Sequence, residues 1–228
     1  MTIFDPRGLI GLVAVSCAIL VAALFLGNLP VAAAAKLAAS SGFVALAIRV
    51  GSLQSSYGRV ILAGLAFSWF GDAFLIGQSQ GLFFLGLVAF LLAHVAYITA
   101  FVGRGMRLKS ITTAALPILV LAIAVSIWLR PHVPTELEFP VRLYTTVISI
   151  MVISAFATHG KYPSRLILAG AAMFFLSDLS VAALRLVQTD MPTYLLGLPL
   201  YYASQVCFAI SASQSRSQGG TPENLSAR

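Results

Sequence analysis

Only two of the seven acidic residues in this 228-residue chain, Asp72 and Asp178, stand inside long apolar stretches; Asp5, Asp190, Glu136, Glu138 and Glu223 sit at loops or ends. The two stretches are nearly one phrase written twice. RVILAGLAFSWFGD (59–72) and RLILAGAAMFFLSD (165–178) each open on Arg, run through largely apolar residues and close on Asp. An aspartate near the middle of a membrane helix costs roughly 2.5–3.5 kcal/mol on insertion scales, so something must hold each of them there. Two carboxyls in one small bundle can divide acid–base work: one gives up a proton while the other stays ionised and steadies positive charge. The plain alternative is a polar contact that pins helices together.

Counting about 1.5 Å per residue places Asp72, a little over one turn before Gly77, roughly 8 Å below one membrane surface. Lys36, the only Lys within an apolar run, follows Pro30 by a similar distance and is expected level with it. Tyr144 stands early in its segment and Tyr201 and Tyr202 further into theirs, while Arg185 lies two turns after Asp178 on the same helix face. Together these residues describe a polar pocket in the outer half of the bilayer, with Arg185 near its mouth. His94 is deeper in its segment, nearer the cytoplasmic side, and reads as a satisfied core histidine. His94, His132 and His159 are widely spaced and match no zinc signature, so neither a metal nor a cofactor is expected. Ser68 and Ser177 lie near the aspartates, but no GxSxG elbow exists. Cys17 and Cys207 fall in apolar runs without a CxxC and read as small core residues.

What must position these groups follows from composition. With 59% hydrophobic residues, 9% charged and a mean hydropathy of +0.95, the chain cannot coat a soluble globule, and an all-α, polytopic membrane helical bundle is expected. Apolar windows long enough to span the hydrocarbon fall at about 8–27, 30–50, 59–77, 81–103, 111–129, 140–158, 163–187 and 192–212, which predicts eight transmembrane helices. Strand alternation is absent, excluding a barrel. The first window, behind a single Arg7, is too long for a signal core and reads as a retained span. Pro30, Pro140, Pro163 and Pro192 are expected in first turns, Pro117 and Pro199 at kinks, and Trp128 and Tyr194 as interfacial anchors.

The basic residues test this layout. With the N-terminus in the cytoplasm, Arg7, Arg49, Arg59, Arg104, Arg107, Lys109, Lys161, Arg165, Arg216 and Arg228 all lie inside, and only Arg130, Arg142 and Arg185 outside. That positive-inside bias places both termini in the cytoplasm and accounts for the net charge of +7 without nucleic acid. The expected organisation is a single transmembrane domain, 1–212, and a disordered cytoplasmic tail, 213–228.

The repeat also has a direction. Arg59/Arg165, Ile61/Ile167, Leu62/Leu168, Ala63/Ala169, Gly64/Gly170, Ala66/Ala172 and Asp72/Asp178 match at one offset, which separates the third window from the seventh. Both windows then cross the same way, as in a parallel 4+4 internal repeat. A weaker echo links LGLVAFLLAH (85–94) with LGLPLYYASQ (196–205) and sets His94 against Gln205.

At FGDAFLIG and FFLSDLSVAALRL the chain resembles the YhhN-like lysoplasmalogenase family of eight-span membrane proteins. GLFFLGLVAFLLAHVAYITAF looks like the family's fourth span, VRLYTTVISIMVISAFA its sixth and YYASQVCFAIS its last. Where the family often has Pro after the lysine, Leu37 follows Lys36. The resemblance implies hydrolysis of the vinyl ether bond of a lysoplasmalogen, giving a fatty aldehyde and a glycerophospho-ethanolamine or -choline. It implies a lysophospholipid as substrate, membrane lipids as surroundings, and a bacterial inner (plasma) membrane as location. Vinyl ether cleavage protonates the distal alkene carbon, adds water to the oxocarbenium ion and collapses the hemiacetal. Asp72 and Asp178 are then the catalytic pair, with Asp72 beside Lys36 as the ionised partner and Asp178 as the donor, or the reverse. Arg185 would meet the phosphate, and Tyr144, Tyr201, Tyr202 and Gln205 would place water and the ether oxygen. Intramembrane acids and parallel repeats also fit a small-solute or proton-coupled transporter, and a non-catalytic lipid-binding protein is a third reading. Oligomeric state is left open.

Overall fold

Eight α-helices lie on the eight apolar windows of the chain. In the computed structural model, which describes residues 5–77, 79–161, 164–189 and 192–213 (side chains at 160 and 161 excepted), they are α1 (Pro6–Phe25), α2 (Leu29–Arg49), α3 (Ser56–Phe74), α4 (Gln80–Arg104), α5 (Leu108–Leu129), α6 (Glu138–Lys161), α7 (Arg165–Ala182) and α8 (Tyr194–Ser211). Helix is the form such a sequence must take, because hydrocarbon offers the backbone no hydrogen-bond partner and each segment has to satisfy its own. Seven of the eight segments are long and apolar enough to cross a membrane, and the chain is an all-α integral membrane protein. α3 falls short of that measure, since its 19 residues include Ser56, Tyr57, Arg59, Ser68 and Asp72.

Helix starts are written locally. Asn28, Ser55, Ser79 and Ser164 each accept a hydrogen bond from the backbone N–H three residues on, capping α2, α3, α4 and α7. Pro30 and Pro140 stand in first turns, where a missing N–H is harmless. Pro192 does not: α8 begins at Tyr194, with Thr193 between them. Pro163 and the tail, 214–228, lie outside the described residues, whereas Ser213 still bonds back to the Ile210 carbonyl. The seventh window is not one regular helix. α7 stops at Ala182 and continues as a π-helical turn, Ala183–Val187, closed by Gln188 in the left-handed conformation (φ 53°).

α3 packs closely on α4, and α7 on α8, through matching glycines. A side chain at Gly64 would run into the ring of Tyr97, and one at Gly170 into the ring of Phe208. These two rings stand at corresponding places, one turn beyond His94 and Gln205. Likewise a side chain at Gly86 would strike Leu75, and one at Gly197 would strike Ser180. Below this level Tyr97, Phe101, Phe174 and Phe208, all fully buried, fill the bundle ring against ring. α5 lies outermost, packed chiefly on α6, with Leu116, Leu119, Val120, Ile123 and Ile127 exposed as suits a lipid-facing surface.

Candidate active site

All eight helices contribute to one cavity of about 560 Å³. Its walls come from one end of the bundle only: the C-terminal halves of α1, α3, α5 and α7 and the N-terminal halves of α2, α4, α6 and α8. Most of the lining is aliphatic or aromatic, including Leu20, Leu87, Phe90, Ile148, Phe175 and Leu198, and the volume falls within the roughly 300–1,000 Å³ of small-molecule sites. Into this apolar space project Lys36, Asp72, Tyr144, Asp178, Arg185 and Tyr201.

Asp72, on α3, is enclosed by donors. Lys36 Nζ of α2 lies 3.4 Å from Oδ1, so the expected pairing is present. The Ser40 hydroxyl, one helical turn after Lys36, lies 2.5 Å from Oδ2, and the Tyr201 hydroxyl of α8 donates to the same oxygen at 2.8 Å. One ammonium and two hydroxyls converge on a carboxyl that is 2% exposed, a donor set that suits a carboxylate.

Asp178, on α7, sits differently. Tyr144 of α6 donates to Oδ2 at 2.7 Å, and His94 Nε2 of α4 faces that oxygen at 3.5 Å without hydrogen-bond geometry. No cation pairs with it among the described residues. Its side chain is 18% exposed. The ring of His94 is fully buried between Tyr144 and Phe174, with Nδ1 2.6 Å from the Phe90 carbonyl oxygen.

His94 corrects the expectation of a remote core residue. The count along α4 placed its Cα deep, but side chains lean toward the N-terminus of their helix. α4 and α7 run in opposite directions, so His94 and Asp178 lean toward each other and close the gap. Ser40 was also missed, though its place one turn from Lys36 puts both on one face.

Tyr202 and Gln205 stand behind the lining rather than on it. Tyr202 directs its hydroxyl at the Lys36 carbonyl, 3.4 Å away, and Gln205, fully buried, accepts from the Tyr97 hydroxyl at 2.8 Å. Tyr194, expected as an interfacial anchor, lines the cavity, whereas Trp128 is exposed. Arg185 does reach the cavity with Asp178, although a π turn carries it. It stands in the wall to a smaller void of about 400 Å³, lined by Ser79, Gln80, His132 and Gln188, with its guanidinium over the Phe83 ring. No group of three or more His, Cys, Asp or Glu side chains that could hold a metal ion occurs among the described residues.

The model of the YhhN family matches residues 29–212. Lysoplasmalogenase TMEM86A of Bos taurus is 32% identical over 162 residues, which cover 68% of this chain and 66% of that protein. The human protein of the same name is 32% identical over 163 residues, with the same shares. Lysoplasmalogenase TMEM86B of Sus scrofa is 28% identical over 171 residues, 74% of this chain and 70% of the relative. The match thus spans just under two thirds of the length of the TMEM86A proteins. No solved structure matches.

Proposed function

The chain belongs to the YhhN family, and on that footing we propose that it is an intramembrane hydrolase cleaving the vinyl ether bond of lysoplasmalogens to a fatty aldehyde and a glycerophospho-ethanolamine or -choline. The observation that carries this reading is that two aspartates from matching helices open onto one apolar cavity in unlike surroundings. A single alkenyl tail suits the aliphatic walls. Arg185 takes the phosphate, and the smaller void beyond it, where Ser79, Gln80, His132 and Gln188 stand among Phe83, Pro134, Leu137 and Leu186, takes the head group.

Asp178, which lines the cavity, gives its proton to the distal alkene carbon. The oxocarbenium ion that forms is steadied by the Asp72 carboxylate, which Lys36, Ser40 and Tyr201 hold in place. Water adds to the carbon bearing the ether oxygen, and its proton returns to Asp178. The hemiacetal then loses its hydroxyl proton as the carbon–oxygen bond to glycerol breaks and the glycerol oxygen is protonated. One vinyl ether and one water become one aldehyde and one alcohol, with no net proton change.

The same reading takes α3 as an eighth span, its aspartate satisfied inside the bundle, and the chain as a parallel 4+4 repeat supported by the paired glycines. The distribution of Lys and Arg supports cytoplasmic termini, and a bacterial inner membrane fits that arrangement. The test is mass spectrometry of products after incubating purified protein with a mixture of lysophospholipids, some with vinyl ether linkages. Aldehyde should appear from the vinyl ether species alone. Absence of aldehyde would defeat the proposal, and solute flux in proteoliposomes would then favour a transporter. Arg185→Gln should raise KM about tenfold, the loss of one charge-assisted contact.

A further inference from the structure

The reaction just described uses Asp178 but leaves His94 without a task, and its surroundings restrict what it can be. A carbonyl oxygen only accepts, so the 2.6 Å contact with Phe90 requires the proton on Nδ1. Nε2 is therefore a bare lone pair unless the ring is a cation. It is buried, makes no hydrogen bond, and the polar atom it faces is Asp178 Oδ2 at 3.5 Å. Rings surround the imidazole: Phe174 at 4.5 Å and Tyr144 at 5.3 Å between centroids. If both His94 and Asp178 gave up their shared proton, a lone pair would face a carboxylate across a dry gap, with Tyr144 as the single donor to that oxygen among the described residues. A proton on either group relieves this repulsion. Placing it on the carboxyl leaves a neutral pair, which an apolar wall accepts without burying two charges.

We propose that His94 and Asp178 hold one proton between them, with His94 acting through Asp178 as the positioning residue that keeps it an acid until substrate arrives. The inference rests on the hydrolase reading for its purpose, but not for its geometry. The arrangement also explains the division between the two acids. Asp72 has a cation and two hydroxyls around it; Asp178 has one hydroxyl and a lone pair. In turnover the proton leaves the pair for the alkene carbon, and the proton released as water adds restores it. His94 changes no bond of the substrate; it sets which carboxyl is the one that gives.

The test is difference infrared spectroscopy of the purified full-length protein in H2O and D2O, with kinetics on a vinyl ether lysophospholipid. Wild type should show a protonated-carboxyl C=O band that shifts in D2O and is missing from Asp178→Asn. Nitrogen-15 spectra should show His94 as the neutral Nδ1–H form. In His94→Asn, which keeps an amide for the Phe90 carbonyl but removes Nε2, the band should weaken or move. There kcat should fall about 10²-fold with KM little changed, the scale of a lost acid–base contribution. A wild type without an Asp178-dependent band overturns the proposal, as does a band that stays unchanged in a folded His94→Asn. The wild-type spectra decide even if the variant does not fold. They are also independent of turnover: the band without aldehyde release would sink the hydrolase reading while leaving the shared proton in place.

Discussion

The α3–α4 hairpin and the α7–α8 hairpin are built alike and finished differently. Both bring an aspartate to the end of the same apolar phrase, and both seat a glycine under an aromatic ring of the partner helix. In the first, the acid is shut in by Lys36, Ser40 and Tyr201; in the second, it accepts from the Tyr144 hydroxyl with His94 Nε2 3.5 Å away. Similar packing thus carries each carboxyl, while the neighbouring helices give the two unlike surroundings. Those neighbours are α2 and α8 for Asp72 and α4 and α6 for Asp178.

Breaking the comparison at the acids should produce the largest change. Asp178→Asn should lower aldehyde release by about 10²–10⁴-fold, the range of general acid catalysis, and leave thermal unfolding nearly unmoved. If that variant turned over at the wild-type rate, Asp178 would not be the donor. Asp72→Asn should behave otherwise: besides losing activity it leaves Lys36 uncompensated, a loss of about 3–5 kcal/mol for a broken buried pair. Differential scanning fluorimetry would show it as a lower Tm. Replacing both partners together, Lys36→Met with Asp72→Leu, should restore most of that stability without activity; no recovery would mean the pair does not bear on the fold.

The packing half of the comparison is sharpened by Gly64→Ala and Gly170→Ala. Each forces a methyl against a ring and should cost about 1–3 kcal/mol. Gly64 should be the worse site, because Tyr97 is held by its bond to Gln205 whereas Phe208 has no polar tether. Equal unfolding free energies for the two variants would remove that distinction. Smallest should be Tyr144→Phe, which deletes one hydroxyl donor to Asp178 and should change stability by about 0.5–1.5 kcal/mol, read from denaturant midpoints.

How far the residues announced this arrangement can be traced position by position. Windows of apolar residues located all eight helices, since in hydrocarbon the backbone has no competing form. Lys36 and Asp72 could be matched by counting because each lies close to a helix end. His94 could not, because depth was counted on Cα positions while the contact is made by side chains leaning along antiparallel axes. Depth along the span places Tyr202 level with Tyr201, and the resemblance adds Gln205, but α8 turns Tyr201 toward the cavity and the other two toward α2 and α4. The π turn after Ala182 has no signature in a run such as ALRLV, which would serve equally in a regular helix.

The rings of Tyr97, Phe101, Phe174 and Phe208 pack against one another as a plug inside the bundle. On the proposed reaction, a long greasy product and a small wet one would both leave on the side of this plug that holds the two acids.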